Sequence, residues 1–177
     1  MNKDRLIKNL LNFDREVGLL YPDSDECIKC YIVGGGAFVL TDRINRMTSD
    51  VDVLGAVPDD ILKLMQKYNI NTNVNAYLCF FAYDFLARAE KLDVGSKYVD
   101  FYVLSLEDLV ASKLASGRDK DLEDIKKFET VSNINWSLLD KIIETIIEGM
   151  LSDWDIQALK TNYKNYKEEY KNEKTDI

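Results

Sequence analysis

The fold is decided by the stretch Lys29-Cys30-Tyr31-Ile32-Val33-Gly34-Gly35-Gly36-Ala37-Phe38-Val39-Leu40. Its first five residues are β-prone and end at three glycines, and its last four fit the first turns of a helix. This order predicts a strand, a tight glycine turn and a helix start. Thirteen residues after Gly36, the run Ser49-Asp50-Val51-Asp52-Val53-Leu54 predicts a second strand. Because strand side chains alternate between two faces, Asp50 and Asp52 share one face and the valines the other.

The rest of the chain alternates between helical and strand-like segments. Helices are predicted by apolar periodicity over residues 4–17, 58–68, 106–116, 119–129, 136–150 and 153–172. Strands are predicted by apolar and aromatic composition over residues 74–82 and 98–104. Ser105 and Asp108 have the spacing of a helix capping box. The order predicts an α+β (α/β-like) protein, with a small mixed sheet flanked by helices over residues 1–128 and a C-terminal helical extension over residues 129–177 packed on that domain.

The composition is that of a globular protein rather than of a nucleic-acid coat. Its 177 residues suffice for one well-packed domain. The net charge of −8 disfavours a protein that covers long nucleic acid, because such binding depends on lysines and arginines that neutralise phosphates. No stretch approaches the roughly 18 apolar residues of a membrane span, and the N-terminal residues do not resemble a signal peptide. We therefore expect a cytoplasmic protein with no membrane partner.

The residue types that are present limit the chemistry. The chain has no histidine, which excludes catalytic triads and metal sites that depend on imidazole. Cys27 and Cys30 have the spacing of a redox motif or half a zinc site, but Cys79 alone does not complete a zinc site. We expect all three to be reduced thiols in the core or near the surface.

Two carboxylates on one strand face beside a glycine turn suit a metal-bound triphosphate. Mg²⁺ prefers hard oxygen ligands and binds through one or two carboxylates plus substrate phosphates. A glycine turn before a helix presents backbone N–H groups to phosphate. Each part alone has a simpler explanation, since glycines allow close packing and aspartates often line the solvated face of an edge strand. Their combination favours a metal and phosphate site.

The same residues resemble a known family. Gly34-Gly35, the spacer and Asp50-Val51-Asp52-Val53 resemble the signature of DNA polymerase beta-type nucleotidyltransferases. The run from Arg46 to Val53 is similar to one bacterial branch, which contains the abortive-infection (type IV toxin–antitoxin) nucleotidyltransferases. A second block, from Leu104 to Ile125, strengthens the likeness to that branch.

The resemblance implies roles for the first block. Gly34, Gly35 and Gly36 would form the turn beside the nucleotide phosphates. Asp50 and Asp52 would hold two Mg²⁺ ions, with Mn²⁺ as a substitute. Asp100 matches a third carboxylate that helps to bind metal or to deprotonate the acceptor hydroxyl, although an exposed strand residue is the simpler interpretation. Arg46 and Ser49, which lie beside the metal strand, are candidate nucleotide contacts.

The resemblance also implies nucleotide contacts in the second block. Lys113 would contact the triphosphate as a point charge, and Asp121 would orient that lysine or touch the nucleotide. Arg118 and Asp124 are further candidates for a nucleotide contact. The simpler interpretation is a salt-bridged helical surface, because runs of lysine and aspartate usually face solvent.

These observations predict a metal-dependent nucleotidyltransferase that moves NMP from an NTP to a hydroxyl of an RNA such as tRNA, a protein or a small molecule. A toxin-like role with a cognate antitoxin, or a homodimer, follows from the likeness to the branch. One alternative is a catalytically inactive protein of this fold that binds or regulates a partner. Another is a kinase-like enzyme that uses the same metal face to transfer the γ-phosphate.

Overall fold

The computed structural model describes residues 1–55 and 57–171, except for the side chains of residues 128 and 129. The helices are α1 (Lys3–Leu20), α2 (Gly34–Leu40), α3 (Asp59–Lys67), α4 (Leu106–Ser116), α5 (Asp119–Ile125), α6 (Phe128–Val131), α7 (Trp136–Gly149) and α8 (Asp153–Tyr170). The strands are β1 (Ile28–Val33), β2 (Val51–Leu54), β3 (Ile70–Asn71), β4 (Glu90–Lys91) and β5 (Val99–Val103). The predicted α+β class is confirmed.

The five strands form one mixed sheet in the order β3-β2-β1-β5-β4. The central strand β1 runs antiparallel to β2 and parallel to β5. At the edges, β3 is parallel to β2 and β4 is antiparallel to β5. The antiparallel β1–β2 pair sets Val33, the last residue before the glycines, directly opposite Asp52.

The chain divides into two compact units. The first contains Met1–Ala76 and Arg88–Leu104, and it holds the whole sheet and α1 to α3. One face of its sheet is core: Cys30, Ile32 and Phe101 are fully buried. On the opposite face, the β5 residues are partly exposed, whereas Val33 of β1 and Leu54 of β2 are buried. The first unit therefore has one apolar sheet face and one face that carries both buried apolar and accessible polar groups.

The second unit contains Tyr77–Ala87 and the chain from Ser105 onward. Its helix α4 packs against α5, α7 and α8. The Ser105 hydroxyl accepts a hydrogen bond from the Asp108 N–H (3.1 Å) and donates to Asp108 Oδ2 (2.6 Å), so Ser105 and Asp108 together cap the start of α4. Gly117 ends α4 in the left-handed conformation, with φ of 63°. The predicted domain boundary at residue 128 stays a prediction.

The predicted strand over residues 74–82 is wrong, because a 3₁₀ segment, Asn73–Phe80, occupies this region. The Asn73 N–H donates to the Asn71 side chain (3.0 Å), a local bond that turns the chain as β3 ends. The Asn75 amide then donates to the Gly55 carbonyl (3.0 Å) and accepts from the Gly55 N–H (3.2 Å). These side-chain hydrogen bonds take the place of the backbone hydrogen bonds that a strand would form with its neighbour. A second 3₁₀ segment, Phe85–Arg88, follows before β4.

The helix ends also differ from the sequence prediction. The segment predicted as one helix over 119–129 is divided into α5 and α6. Helix α8 ends at Tyr170. The predicted end of this helix, residue 172, lies outside the described residues. No helix in the described ranges combines the length and the apolar character that a membrane span requires.

The three cysteines are free thiols, as predicted. Cys30 is buried in β1, Cys27 is partly exposed and Cys79 is exposed. Burial raises the pKa of the Cys30 thiol to about 12, which keeps it neutral.

Asp14, a buried carboxylate on α1, fixes the start of β5. One of its oxygens accepts hydrogen bonds from the backbone N–H groups of Tyr98 (2.7 Å) and Val99 (2.8 Å), and the Lys97 N–H lies 3.0 Å from the same oxygen. These N–H groups lie just before β5 or at its first residue, where backbone pairing with β1 does not satisfy all of them. Asp14 therefore ties α1 to the sheet.

We expect the Asp14→Ala variant to lose about 3 kcal/mol of unfolding free energy, because backbone donors would stay buried without an acceptor. Urea unfolding would measure the loss. Asp4→Ala, an exposed change on the same helix, is the matched control and should cost less than about 1 kcal/mol. Equal losses in the two variants would contradict this role of Asp14.

Candidate functional site

Gly34 brings the end of β1 against the carboxylate of Asp52. Its φ of 64° lies in the left-handed region, which side-chain-bearing residues rarely adopt. A Cβ atom built on Gly34 would lie 2.5 Å from Asp52 Oδ2, closer than real Cβ contacts allow. The carboxylate thus occupies the space that a side chain at position 34 would fill. Only glycine satisfies both conditions at this position.

Asp50 lies beside Asp52, immediately before β2, and its carboxylate is held from two sides. The Ser49 hydroxyl donates to Asp50 Oδ1 (3.0 Å), and the Asn71 amide donates to Asp50 Oδ2 (3.3 Å). Asn71 is also the register partner of Asp52 across the β2–β3 pair. Both aspartates are partly exposed. The two carboxylates therefore form a held and accessible pair.

Asn71 is a site residue that the sequence does not reveal. It lies in a two-residue strand, too short to produce an alternating pattern. The only local signal is the spacing of Asn71, Asn73 and Asn75, which is typical of turns. Its position beside Asp50 depends on the β2–β3 pairing, which is a non-local property.

The other two glycines contact the segment that leads into β2. A Cβ atom on Gly35 would meet Arg46 Nη2 at 2.8 Å and Thr48 Oγ1 at 3.5 Å. One on Gly36 would lie 3.4 Å from the Asp50 carbonyl oxygen. The structure thus brings together Gly34 to Gly36, Arg46, Ser49, Asp50 and Asp52, all in the first unit. A guanidinium and two carboxylates lie at one glycine turn.

The residues at this turn fit Mg²⁺. Asp50 and Asp52 offer hard oxygen donors that are partly exposed, and the bare backbone of Gly34 leaves room for the Asp52 carboxylate. Two carboxylates suffice, because Mg²⁺ completes its shell with water and substrate phosphates. Within the described ranges, no group of three cysteine, aspartate or glutamate residues could hold an ion. The fit is to a carboxylate pair rather than to a closed protein cage.

The structure does not bring Asp100 to this pair. Asp100 pairs with Lys29 on β1, whereas Asp52 pairs with Val33, four residues further along. This offset corresponds to about 13 Å along the strands and about 10 Å across them, more than one ion can bridge. The Asp100 carboxylate instead lies 2.6 Å from the Lys91 ammonium. A metal role for Asp100 stays a prediction that its own variant must test.

The second-block residues form a buried ionic cluster in the second unit. The Lys113 ammonium donates to Asp121 Oδ1 (2.7 Å) and to Asp124 Oδ2 (2.9 Å), and all three side chains are at most 8% exposed. Asp121 also accepts from the Ser116 hydroxyl (2.7 Å) and from Arg118 Nε (2.6 Å). Of this set, the Arg118 side chain is largely exposed. The cluster fixes α5 against the end of α4.

The pKa of the Asp121 carboxyl reflects both its burial and its charged neighbours. Burial raises the pKa of its carboxyl, but the hydrogen bond and charge of Lys113, with the bonds from Ser116 and Arg118, bring it below the ordinary value. Because the folded-state pKa is lowered, this stabilisation is present above the unfolded pKa and is lost as the pH falls through the folded value. The arrangement has the features of a structural cluster. Nucleotide contacts by Lys113, Arg118 and Asp121 stay predictions.

A family model described as a nucleotidyltransferase of unknown function (DUF6036) matches residues 8–171. The chain belongs to this nucleotidyltransferase family. The match covers both units and includes the glycine turn, the carboxylate pair and the buried cluster. No curated protein and no solved structure matches the chain. The likeness to the abortive-infection branch of nucleotidyltransferases stays a prediction.

We expect Gly34→Ala to destabilise the protein by about 2 kcal/mol, through a left-handed alanine and contact with the Asp52 carboxylate. Gly35→Ala is the matched control: the one close contact of its Cβ is with the end of the flexible Arg46 side chain, and Thr48 Oγ1 lies at an ordinary van der Waals distance, so its cost should be smaller. Urea unfolding of both variants measures the difference. A Gly34→Ala variant as stable as Gly35→Ala would contradict the packing described for Asp52.

We expect Lys113→Met to cost about 3–5 kcal/mol of unfolding free energy, because two buried carboxylates would lose their shared cation. Lys120→Met, an exposed change one residue before Asp121, should stay within about 0.5 kcal/mol of the wild type. Chemical unfolding measures both. A stable Lys113→Met protein with weakened NTP binding would instead favour the nucleotide contact.

Proposed function

We propose that this nucleotidyltransferase moves NMP from an NTP to an acceptor hydroxyl, with Mg²⁺ held by Asp50 and Asp52. The observation that carries the proposal is the contact of the Asp52 carboxylate with the backbone of Gly34, beside the held carboxylate of Asp50. Carboxylate oxygens of the kind that Mg²⁺ prefers lie beside the turn whose backbone N–H groups would receive phosphate. The family match supports the transferase class.

Different residues of the site would bind the phosphates and hold the metal ligands. The turn from Gly34 to Gly36 would receive the phosphates, and the Arg46 guanidinium, which lies over Gly35, would add positive charge. Asn71 and Ser49 hold the Asp50 carboxylate in place. Asp50 and Asp52 would hold Mg²⁺, which would supply positive charge that offsets the negative charge of the phosphates and of the pyrophosphate leaving group.

The proposal extends to the acceptor and the cellular role. An RNA, a protein or a small molecule would supply the hydroxyl. The likeness to the abortive-infection branch supports a toxin-like role that a cognate antitoxin or a second copy controls. In that case, expression should arrest growth, and the same substitutions that stop transfer should restore it.

We expect Asp50→Asn and Asp52→Asn each to lower transfer at least about 100-fold, because each removes a charged metal ligand. The assay supplies each α-³²P-labelled NTP with Mg²⁺ and cell RNA and protein, and measures the labelled product. Asp59→Asn, on an exposed helix start, is the charge-matched control and should keep full activity. Retained labelling in both site variants would contradict the metal site.

Two further measurements extend the assay. Asp100→Asn should lower transfer by at most about tenfold if Asp100 does not bind the metal, and by much more if it does. γ-³²P-labelled NTP should give no labelled acceptor. Incorporation of the γ-label would select the kinase-like alternative.

A further inference from the structure

We propose that a pocket at the start of β1 binds a free amino acid with a large apolar side chain. The pocket has a volume of about 260 Å³, and its lining residues all belong to the first unit. Ile28, the first residue of β1, lines it, whereas the glycine turn follows Val33 at the other end of the strand, about 17 Å away. The pocket is therefore separate from the Asp50–Asp52 pair, and the inference goes beyond the proposed function.

Apolar groups form most of the pocket wall. Val17, Ile28 and Pro58 line it together with Tyr21 and Tyr98. Val17 is buried, whereas Pro58 and Tyr98 are exposed, so the pocket has an apolar base and opens to solvent. Its volume lies just below the range of about 300–1,000 Å³ that is typical for drug-sized ligands. The pocket therefore fits a small molecule with one apolar group.

Both tyrosines of the pocket are held in place. A Cβ atom built on Gly18 of α1 would lie 2.3 Å from Tyr98 Cε2, so the Tyr98 ring fills the space that a side chain at position 18 would need. Glycine is less favourable in a helix than alanine, but here it admits the ring. The Tyr21 hydroxyl donates a hydrogen bond to Asp60 Oδ2 (2.7 Å) at the start of α3. The two rings therefore have defined positions.

The segment that carries Tyr98 is fixed by its backbone. Asp14 Oδ1 accepts hydrogen bonds from the N–H groups of Lys97 (3.0 Å) and Tyr98 (2.7 Å). The Cys27 thiol, which also lines the pocket, donates to the Lys97 carbonyl oxygen (3.4 Å). Because this wall is ordered by contacts within the protein, a ligand would lose little affinity to the ordering of the wall.

Two opposite charges at the pocket determine the polar end of the ligand. Among the lining residues, Lys97 and Glu26 carry the formal charges. Both are exposed, and neither side chain forms an ion pair or hydrogen bond with a described residue. The ammonium of an amino acid can bind Glu26 while its carboxylate binds Lys97, and both hydrogen bonds are charge-assisted. A triphosphate gains little here, because the two lining charges cancel and Asp60, bonded to Tyr21, adds a negative charge nearby.

The test is a chemical-shift titration of the ¹⁵N-labelled full chain with four probes, in the absence of NTP and Mg²⁺. L-Phenylalanine should bind and shift the amide signals of Gly18, Lys97 and Tyr98. 3-Phenylpropionate lacks the ammonium and phenethylamine lacks the carboxylate, so each should bind about tenfold more weakly. L-Alanine lacks the ring and should bind at least about tenfold more weakly than L-phenylalanine.

Three substitutions at exposed positions assign the two charges. Glu26→Gln should weaken the binding of L-phenylalanine by about tenfold and leave that of 3-phenylpropionate unchanged. Lys97→Gln should weaken L-phenylalanine to the same extent and leave phenethylamine unchanged. Lys8→Gln, on α1 outside the pocket, is the control and should change neither affinity. Exposed substitutions of this kind preserve the fold.

Cys27 provides a second readout in the wild-type protein. L-Phenylalanine at about four times its dissociation constant should slow the alkylation of Cys27 by N-ethylmaleimide about fivefold, because the bound form is shielded. Peptide mass spectrometry measures this rate. Cys79, which is exposed and does not line the pocket, is the internal control and should react at an unchanged rate.

Several results would overturn the inference. They are the absence of L-phenylalanine binding, shifts confined to other parts of the chain, unchanged alkylation of Cys27, and another probe that binds as tightly as L-phenylalanine. Wild-type affinity for L-phenylalanine in both the Glu26→Gln and the Lys97→Gln proteins would also overturn it. Because none of these measurements uses NMP transfer, their outcome is independent of the proposed function.

Discussion

The Asp52 carboxylate occupies the volume that any side chain at position 34 would need, and Gly34 adopts a backbone conformation that suits glycine. These two conditions follow from one pairing, in which β1 and β2 run antiparallel with Val33 opposite Asp52. A shift of one residue in this register would turn Asp52 towards the core face. The positions of the candidate metal ligands and of the glycine turn both depend on that pairing.

The two faces of the sheet differ in role: one packs against the core, and the other carries the candidate site residue Asp52. The core face is held by buried apolar residues and by Asp14, which ties α1 to β5. The other face carries buried apolar residues together with the partly exposed Asp52 and Asp100. Because alternation fixes which residues face which way, the chain can place polar groups beside its core without burying them. The ionic cluster of the second unit is a different case, since there the charges are buried and paired.

Much of the site was predictable because its signals are local. Three glycines after a β-prone run predict a turn, and the alternation of Asp50 and Asp52 predicts a shared face without knowledge of the partner strand. The helix cap at Ser105 and the glycine end of α4 are local in the same way. Non-local features were not predictable: Asn71 reaches Asp50 through a two-residue strand, and the offset of Asp100 from Asp52 depends on two strand registers. Lys113 shows a third limit, because its spacing from Asp121 is the same for a solvated helix face and for the buried cluster that forms.

The central claim is that Asp50 and Asp52 hold the metal of an NTP at the glycine turn. Crystals grown with Mn²⁺ and an NTP analogue that cannot be cleaved between the α- and β-phosphates test it directly, because Mn²⁺ is located by its anomalous scattering. The account predicts Mn²⁺ bound to both carboxylates, with the triphosphate against Gly34 to Gly36. An ordered metal–nucleotide complex elsewhere in the protein, with these carboxylates free of metal, would contradict it.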